Sequence, residues 1–313
     1  MANKITIIGA GQVGSTIAFE LTVKGIASEV VLIDIDTKRA MGEAMDIRQG
    51  TPFLDPVNIH DGSYEDAKNS DVVIVTSGVA RKPGQTRLDL AQTNVNIMKS
   101  IIPQITKAAP DAIYIIVANP VDILTYQFVK TSGIPSNRII GSGTMLDTAR
   151  LRARIAELYQ LAQHNVQAYV FGEHGDSSFV PWSLANVATI PVDKYHESFA
   201  GKDFQPINHE EVETYVRKSG GVIIEAKRCT NYAIAATTSQ LCDCINNATD
   251  TTLTVSSMMN GEYGISDVCL SILSVVGRNG LTGRLITPLT DVELAALRHS
   301  ADCLKATIEQ LEF

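Results

Sequence analysis

Long apolar runs are what this sequence most clearly lacks. Its apolar stretches are short and broken by Asp, Gly or Pro, well below the roughly 20 residues a membrane helix requires, so no membrane partner is expected. An excess of basic residues is also missing. The chain has 26 Lys and Arg against 34 Asp and Glu, a formal charge of −8 at pH 7, which repels nucleic acid and anionic lipid and leaves a small molecule as the expected partner. No basic segment and apolar h-region precede the first strand-like residues at Lys4, so no export signal is expected and a cytoplasmic location is. Nor is there a disulfide or metal framework. The five cysteines, Cys229, Cys242, Cys244, Cys269 and Cys303, include no Cys-x-x-Cys pair. They read as reduced core thiols, and Cys242 and Cys244 lack the second Cys or His pair that a four-ligand site needs. No metal is expected.

What is present is a large apolar content, 45% of 313 residues, enough for a substantial core. Over the first 142 residues short β-branched runs alternate with longer helical patterns, the signature of βαβ units. Lys4 to Ile8, Val30 to Ile33, Val72 to Thr76, Ile113 to Val117 and Arg138 to Ile140 read as strands. Their near-continuous Ile and Val content predicts a parallel sheet covered by helices on both faces. Helices are expected over Val13 to Lys24, closing at Gly25, and over Leu88 to Ala109 with a bend near Pro103. Beyond Gly143 the pattern changes to a helix, a strand from Val166 to Phe171, and a helical stretch from Val212 to Asn247 interrupted at Gly220-Gly221. Strands near Thr252 to Ser257, Val268 to Val276 and Leu281 to Ile286 follow, punctuated by Asn260-Gly261 and Asn279-Gly280. Thr290 and Glu293 form a capping box for a last helix. The reading is an α/β chain with two domains sharing a cleft, residues 1–142 and a smaller α+β unit over residues 143–313.

The strand Lys4 to Ile8 runs into Gly9-Ala10-Gly11-Gln12-Val13-Gly14 at the start of a helix. This is the strand, glycine turn and helix context in which a dinucleotide pyrophosphate is bound. Gly9 permits the tight turn, Gly11 lets the backbone approach the phosphates, Gly14 lets the helix pack closely, and the N–H groups of the first helical turn, with Gln12 and Val13, face the anion. Twenty residues after Gly14, the second strand ends at Asp34, placed to accept hydrogen bonds from a ribose. A carboxylate there repels a 2′-phosphate, so the expected cofactor is NAD on a Rossmann-type doubly wound sheet.

Three segments concentrate polar residues at strand or helix ends. Residues 78–87, Gly-Val-Ala-Arg-Lys-Pro-Gly-Gln-Thr-Arg, follow a strand and carry Arg81, Lys82 and Arg87 among glycines, a composition suited to closing over an anion. In Gly141-Ser142-Gly143-Thr144-Met145-Leu146-Asp147-Thr148-Ala149-Arg150, Asp147 and Arg150 share a helix face, which a surface ion pair would also explain. In Phe171-Gly172-Glu173-His174-Gly175-Asp176, a histidine sits between glycines beyond a strand, free to present its ring to a ligand. Moving a hydride to or from a secondary alcohol requires a proton to move at its oxygen, and His is the side chain best poised for that near neutral pH.

These segments, together with Gln85-Thr86-Arg87-Leu88-Asp89-Leu90 and Ala118-Asn119-Pro120-Val121-Asp122, resemble the L-lactate and malate dehydrogenase superfamily over essentially the whole chain. The resemblance implies that His174 donates and accepts the proton, that Asp147 orients its ring, and that Arg150 grips the substrate carboxylate. It further implies that Arg87 polarises the reacting carbonyl and that Asn119, at a cis-proline position, bonds substrate and lies near the nicotinamide. The substrate class is a small 2-oxo or 2-hydroxy acid.

Within the superfamily most stretches, including Thr230 in Cys229-Thr230-Asn231-Tyr232, resemble the lactate branch. Arg81 resembles the malate branch, whose arginine pairs with a second carboxylate. Lactate, malate and dual activity therefore all stand at this point, with lactate favoured by the larger set of residues. A non-catalytic NAD-binding protein on the same scaffold is disfavoured by the presence of His174, Arg150 and Arg87. The resemblance also implies a homotetramer or a dimer. Of the Arg and His that bind fructose 1,6-bisphosphate in many bacterial relatives, Arg152 is present and Gln167 replaces the His, so weak or absent activation is expected.

Overall fold

The computed structural model of the chain describes residues 3–80, 84 and 86–313. Strand β1 (Lys4–Ile8) leads into helix α1 (Gln12–Val23), followed by β2 (Glu29–Ile33), α2 (Thr37–Gly50), β3 (Asn58–Asp61) and β4 (Val72–Val75). Helix α3 (Arg87–Ala108), β5 (Ile113–Ile116), α4 (Val121–Thr131) and β6 (Ile139–Gly141) complete a six-stranded parallel unit in the order β3-β2-β1-β4-β5-β6. The order reverses between β1 and β4, and in such a sheet ligands bind beyond the carboxyl ends of the strands flanking that reversal. Both faces are covered. Ile5, Ile7, Val72 and Ile74 point into one apolar cluster with Ile17 and Leu21 of α1, while Ile8, Val73 and Val75 point into another with Val95 and Met98 of α3.

The second half opens with α5 (Met145–Leu158) and a small antiparallel sheet of β7 (Val166–Gln167), β8 (Asn186–Val187) and β9 (Ile190–Pro191). Helices α6 (Val192–Ser198), α7 (His209–Lys227) and α8 (Tyr232–Asn246) follow, then β10 (Thr251–Asn260), β11 (Ser266–Gly277), β12 (Gly280–Arg284) and α9 (Asp291–Ile308). Strand β10 pairs with β6 through Ser256 and Gly141, so the parallel sheet continues without a gap into the antiparallel strands, nine in all among the described residues. That shared sheet brings α4, β10, β11 and α9 to bear on one end of the molecule.

Two expectations differ in detail, and one strand carries no expectation. Gly220-Gly221 does not interrupt the long helix: α7 runs through both glycines and ends at Arg228, whose left-handed conformation (φ 71) separates it from α8. Strand Val166 to Phe171 is regular only over Val166–Gln167, with a single further bridge between Phe171 and Phe179. Strand β3, of sequence Asn-Ile-His-Asp, was not foreseen, because an edge strand with one buried apolar residue leaves little periodic signal. The Thr290 capping box forms as expected, with the Thr290 side chain taking the Glu293 N–H and the Glu293 side chain the Thr290 N–H.

Candidate active site

The glycine turn shows why each glycine is needed. Gly9 adopts φ 106, and a Cβ on Gly14 would lie 1.8 Å from the Gly9 carbonyl oxygen, so Gly14 is dictated by packing of α1 on the turn. A Cβ on Gly11 meets no protein atom within 4 Å. The backbone there is open to an incoming group. No side chain caps the N-terminus of α1 and no acidic residue occupies its first turn, which leaves its partial positive charge available to a phosphate. Across the turn the Asp34 carboxylate accepts the N–H groups of Ala10 (2.6 Å) and Asp36 (2.9 Å), fixing it at the end of β2. Gln12 is exposed beside this turn and Val13 lines the adjoining cleft. These residues fit an NAD molecule.

The cleft, of about 500 Å³, lies beyond the carboxyl ends of β4, β5 and β6 and is walled by α5, α7 and the 174–178 turn. Asn119, Asp147, Arg150, His174 and Thr230 all line it. His174 Nδ1 lies 2.6 Å from Asp147 Oδ2, and Arg150 Nη1 donates to Asp147 Oδ1 at 3.0 Å. The Asp147 carboxylate is buried and holds one partner on each oxygen. Burial alone would raise its pKa, but the His174 and Arg150 charges and hydrogen bonds prevail and hold it below the usual range. Burial likewise pushes His174 down, and the Asp147 charge and hydrogen bond outweigh it, so the imidazole titrates above its ordinary value. Asp147 thus favours the protonated ring, with Nδ1 committed to its carboxylate.

The turn bearing His174 is pinned from three elements. Gly172 (φ 91) exchanges backbone hydrogen bonds with Ser271 on β11, Glu173 N–H donates to Ser300 Oγ on α9 at 2.8 Å, and His174 N–H donates to Asp122 Oδ2 on α4 at 2.7 Å. The loop after β4 is tied in a similar way. Buried Asn94 on α3 accepts from Val79 N–H at 2.8 Å and donates to the Val79 and Asn119 carbonyl oxygens, joining that loop to the cis Asn119-Pro120 peptide.

One of the proposed cations is placed outside the cleft. Arg87 is the first residue of α3, behind the Thr86–Asp89 capping box, and its largely exposed guanidinium donates to Asp176 Oδ2 at 2.5 Å at the rim. Arg81 lies outside the described residues. Asp122, Asn94, Arg217 and Arg228 were not singled out by sequence reasoning. Arg217 lines the cleft with its guanidinium bound to Ser178 O and Glu213, and Arg228 lines it too. Asp122 alone carried a signal, its place in the Asn119-Pro120-Val121-Asp122 segment. Gly220 lies beside the Arg150 guanidinium, where a Cβ would make an ordinary contact at 3.5 Å.

The chain is similar to known proteins over both of its halves. The lactate/malate dehydrogenase NAD binding domain model matches residues 3–141, and the lactate/malate dehydrogenase alpha/beta C-terminal domain model matches residues 144–312. The chain belongs to the lactate/malate dehydrogenase family. Among relatives of this lactate/malate dehydrogenase family member, the L-lactate dehydrogenase of Thermoanaerobacter sp. is 45% identical over 310 residues, 99% of each chain. The L-lactate dehydrogenase 1 of Clostridium acetobutylicum is 42% identical over 308 residues, 98% of each. The minor L-lactate dehydrogenase of Enterococcus mundtii, solved in a ligands-bound form, superposes on this family member with a TM-score of 0.94 at 35% identity, covering 100% of this chain and 99% of that one.

Proposed function

We propose that this chain is an NAD-dependent L-lactate dehydrogenase that interconverts pyruvate and L-lactate. The observation that carries the reading is the His174–Asp147–Arg150 constellation in the cleft that adjoins the glycine turn, in a chain 42–45% identical over almost its whole length to L-lactate dehydrogenases. When bound, NADH supplies the hydride. The residues do the rest. Arg150 takes the substrate carboxylate as a planar fork and so fixes orientation as well as charge. His174, protonated and held through Nδ1, presents Nε2 to the substrate oxygen and gives it the proton as negative charge develops there. Asp147 keeps the tautomer and stabilises the charged ring, the part played by the aspartate in other His–Asp pairs. Arg87, released from Asp176 and turned inward, polarises the carbonyl together with Asn119. In the reverse direction neutral His174 takes the alcohol proton.

In the same reading residues 1–142 hold NAD and residues 143–313 supply most of the substrate site, with Thr230 beside the substrate side chain. A homotetramer or a dimer is supported by the exposed apolar residues Met41 and Met45 on α2 and Val222 and Ile223 on α7, and light scattering distinguishes the two. We place the protein in the cytoplasm, which fractionation tests; among the described residues no helix is long and apolar enough to cross a membrane. Arg152 donates to the Ala168 carbonyl oxygen and lies 4.8 Å over the Tyr169 ring, while Gln167 binds the Tyr169 hydroxyl. Both groups are engaged within the chain, which supports weak or absent activation by fructose 1,6-bisphosphate. Titrating activity with that sugar bisphosphate tests this, and strong activation would refute it. The activity itself is tested by NADH oxidation with pyruvate, which must turn over, and by His174→Gln, which must abolish turnover while leaving NADH binding intact.

A further inference from the structure

Behind the cleft, and outside its wall, lies a second carboxylate aimed at the histidine turn. Asp122 sits in the first turn of α4 and is 3% exposed. Its Oδ2 accepts the His174 backbone N–H at 2.7 Å, and its Oδ1 accepts the Ser256 hydroxyl of β10 at 2.5 Å. The groups acting on it are His174, which favours the anion, Glu173, which opposes it, and the buried Cys269 thiol of β11. A buried carboxylate with one donor on each oxygen is stable as an anion only while both donors remain, and the N-terminal turn of a helix adds to that preference.

We propose that Asp122 is a positioning residue for the proton-transfer histidine, its anion fixing the His174 peptide from behind while Asp147 fixes the ring from the side. A neutral carboxyl has to place its own proton on one of the two oxygens. It then competes with Ser256 or His174 for that oxygen, and the turn loses its anchor on α4. Burial pushes the Asp122 pKa up, against the Ser256 and His174 hydrogen bonds that lower it, to about 6. The arrangement therefore sets an acid limit to catalysis. Reduction of the oxo acid needs protonated His174 and, for that group alone, would reach a plateau at low pH; with Asp122 it falls again below about pH 6.

This inference rests on His174 as the proton donor, and its test reads the ring itself as well as turnover. In Asp122→Asn the amide oxygen still accepts the His174 N–H and the amide nitrogen turns to Ser256, but the charge is gone. The expected result by NMR titration of the His174 ring, in protein without substrate, is a pKa lower than in the unaltered enzyme. The low-pH fall in kcat/KM should also disappear. Ser256→Ala leaves the carboxylate one donor short and should move that fall to higher pH, with KM for pyruvate changed less than twofold. An unaltered enzyme with no fall below pH 6 would overturn the proposal, as would an Asp122→Asn enzyme that matches it in both ring titration and pH profile. If Asp122→Asn does not fold, the Ser256→Ala profile decides alone: a shift upward supports the role and an unmoved profile removes it. A ring titration that shifts in a protein inactive with both pyruvate and oxaloacetate would instead refute the proposed activity while leaving the contact to Asp122 standing.

Discussion

Asp147 holds His174 with one carboxylate oxygen and Arg150 with the other, at 2.6 and 3.0 Å, so the proton donor and the carboxylate grip are braced on a single buried side chain. Replacing it with Asn keeps the shape and removes the charge. Asp147→Asn should lower kcat for pyruvate by between about 100- and 10,000-fold, the contribution of a positioned general acid, with loss of the anion from a His–Asp pair at the upper end. The NADH dissociation constant, measured by fluorescence quenching, should stay within about twofold. A kcat within tenfold of the unaltered enzyme would show that Asp147 is only structural.

Arg150 is set against bare Gly220 and pairs with Asp147, a seat that suits a flat guanidinium. Lysine brings the charge without the fork. Arg150→Lys should therefore raise KM for pyruvate and cost about 2 kcal/mol in transition-state binding, roughly 30-fold in kcat/KM, with thermal stability nearly unchanged. Steady-state kinetics and a melting curve on the same preparation check both halves.

The direction of the His174 shift gives a pH dependence of known sign. The ring is pushed down by burial and raised further by Asp147, so it titrates above its ordinary value. Pyruvate reduction needs the protonated ring, and its kcat/KM should fall with unit slope as pH rises through that pKa. Lactate oxidation needs the neutral ring and should rise through the same value. Profiles that move in the same direction would exclude His174 as the shared acid and base.

Gly11 and Gly14 separate what the cofactor needs from what the fold needs. A Cβ on Gly14 collides with the Gly9 carbonyl, whereas one on Gly11 touches no protein atom. Gly14→Ala should destabilise the protein by at least about 2 kcal/mol, measured by denaturant unfolding. Gly11→Ala should leave stability within about 0.5 kcal/mol and weaken NADH binding about tenfold or more. Equal losses of stability would contradict the assignment of Gly11 to the cofactor.

The parts legible in the sequence were those in which one residue type repeats or one motif is local. Strands β1, β2 and β4 to β6 announce themselves because helices cover both faces, leaving near-continuous Ile and Val. The glycine turn, Asp34 and the Asp147–Arg150 spacing are local as well. The support of His174 was not legible, since Asp122, Ser271 and Ser300 lie 52, 97 and 126 residues from it along the sequence and meet only because α4, β11 and α9 pack against one another. Gly220-Gly221 misled for the opposite reason. Two glycines look like a helix break, yet α7 is held through them by its packing on α5.

The measurement that tests the account most directly is kcat/KM for pyruvate and for oxaloacetate, with NADH, on one preparation. The account predicts a strong preference for pyruvate, with Arg150 holding the only substrate carboxylate and Thr230 facing the methyl group. A preference for oxaloacetate would contradict it and assign the substrate's second carboxylate to Arg81.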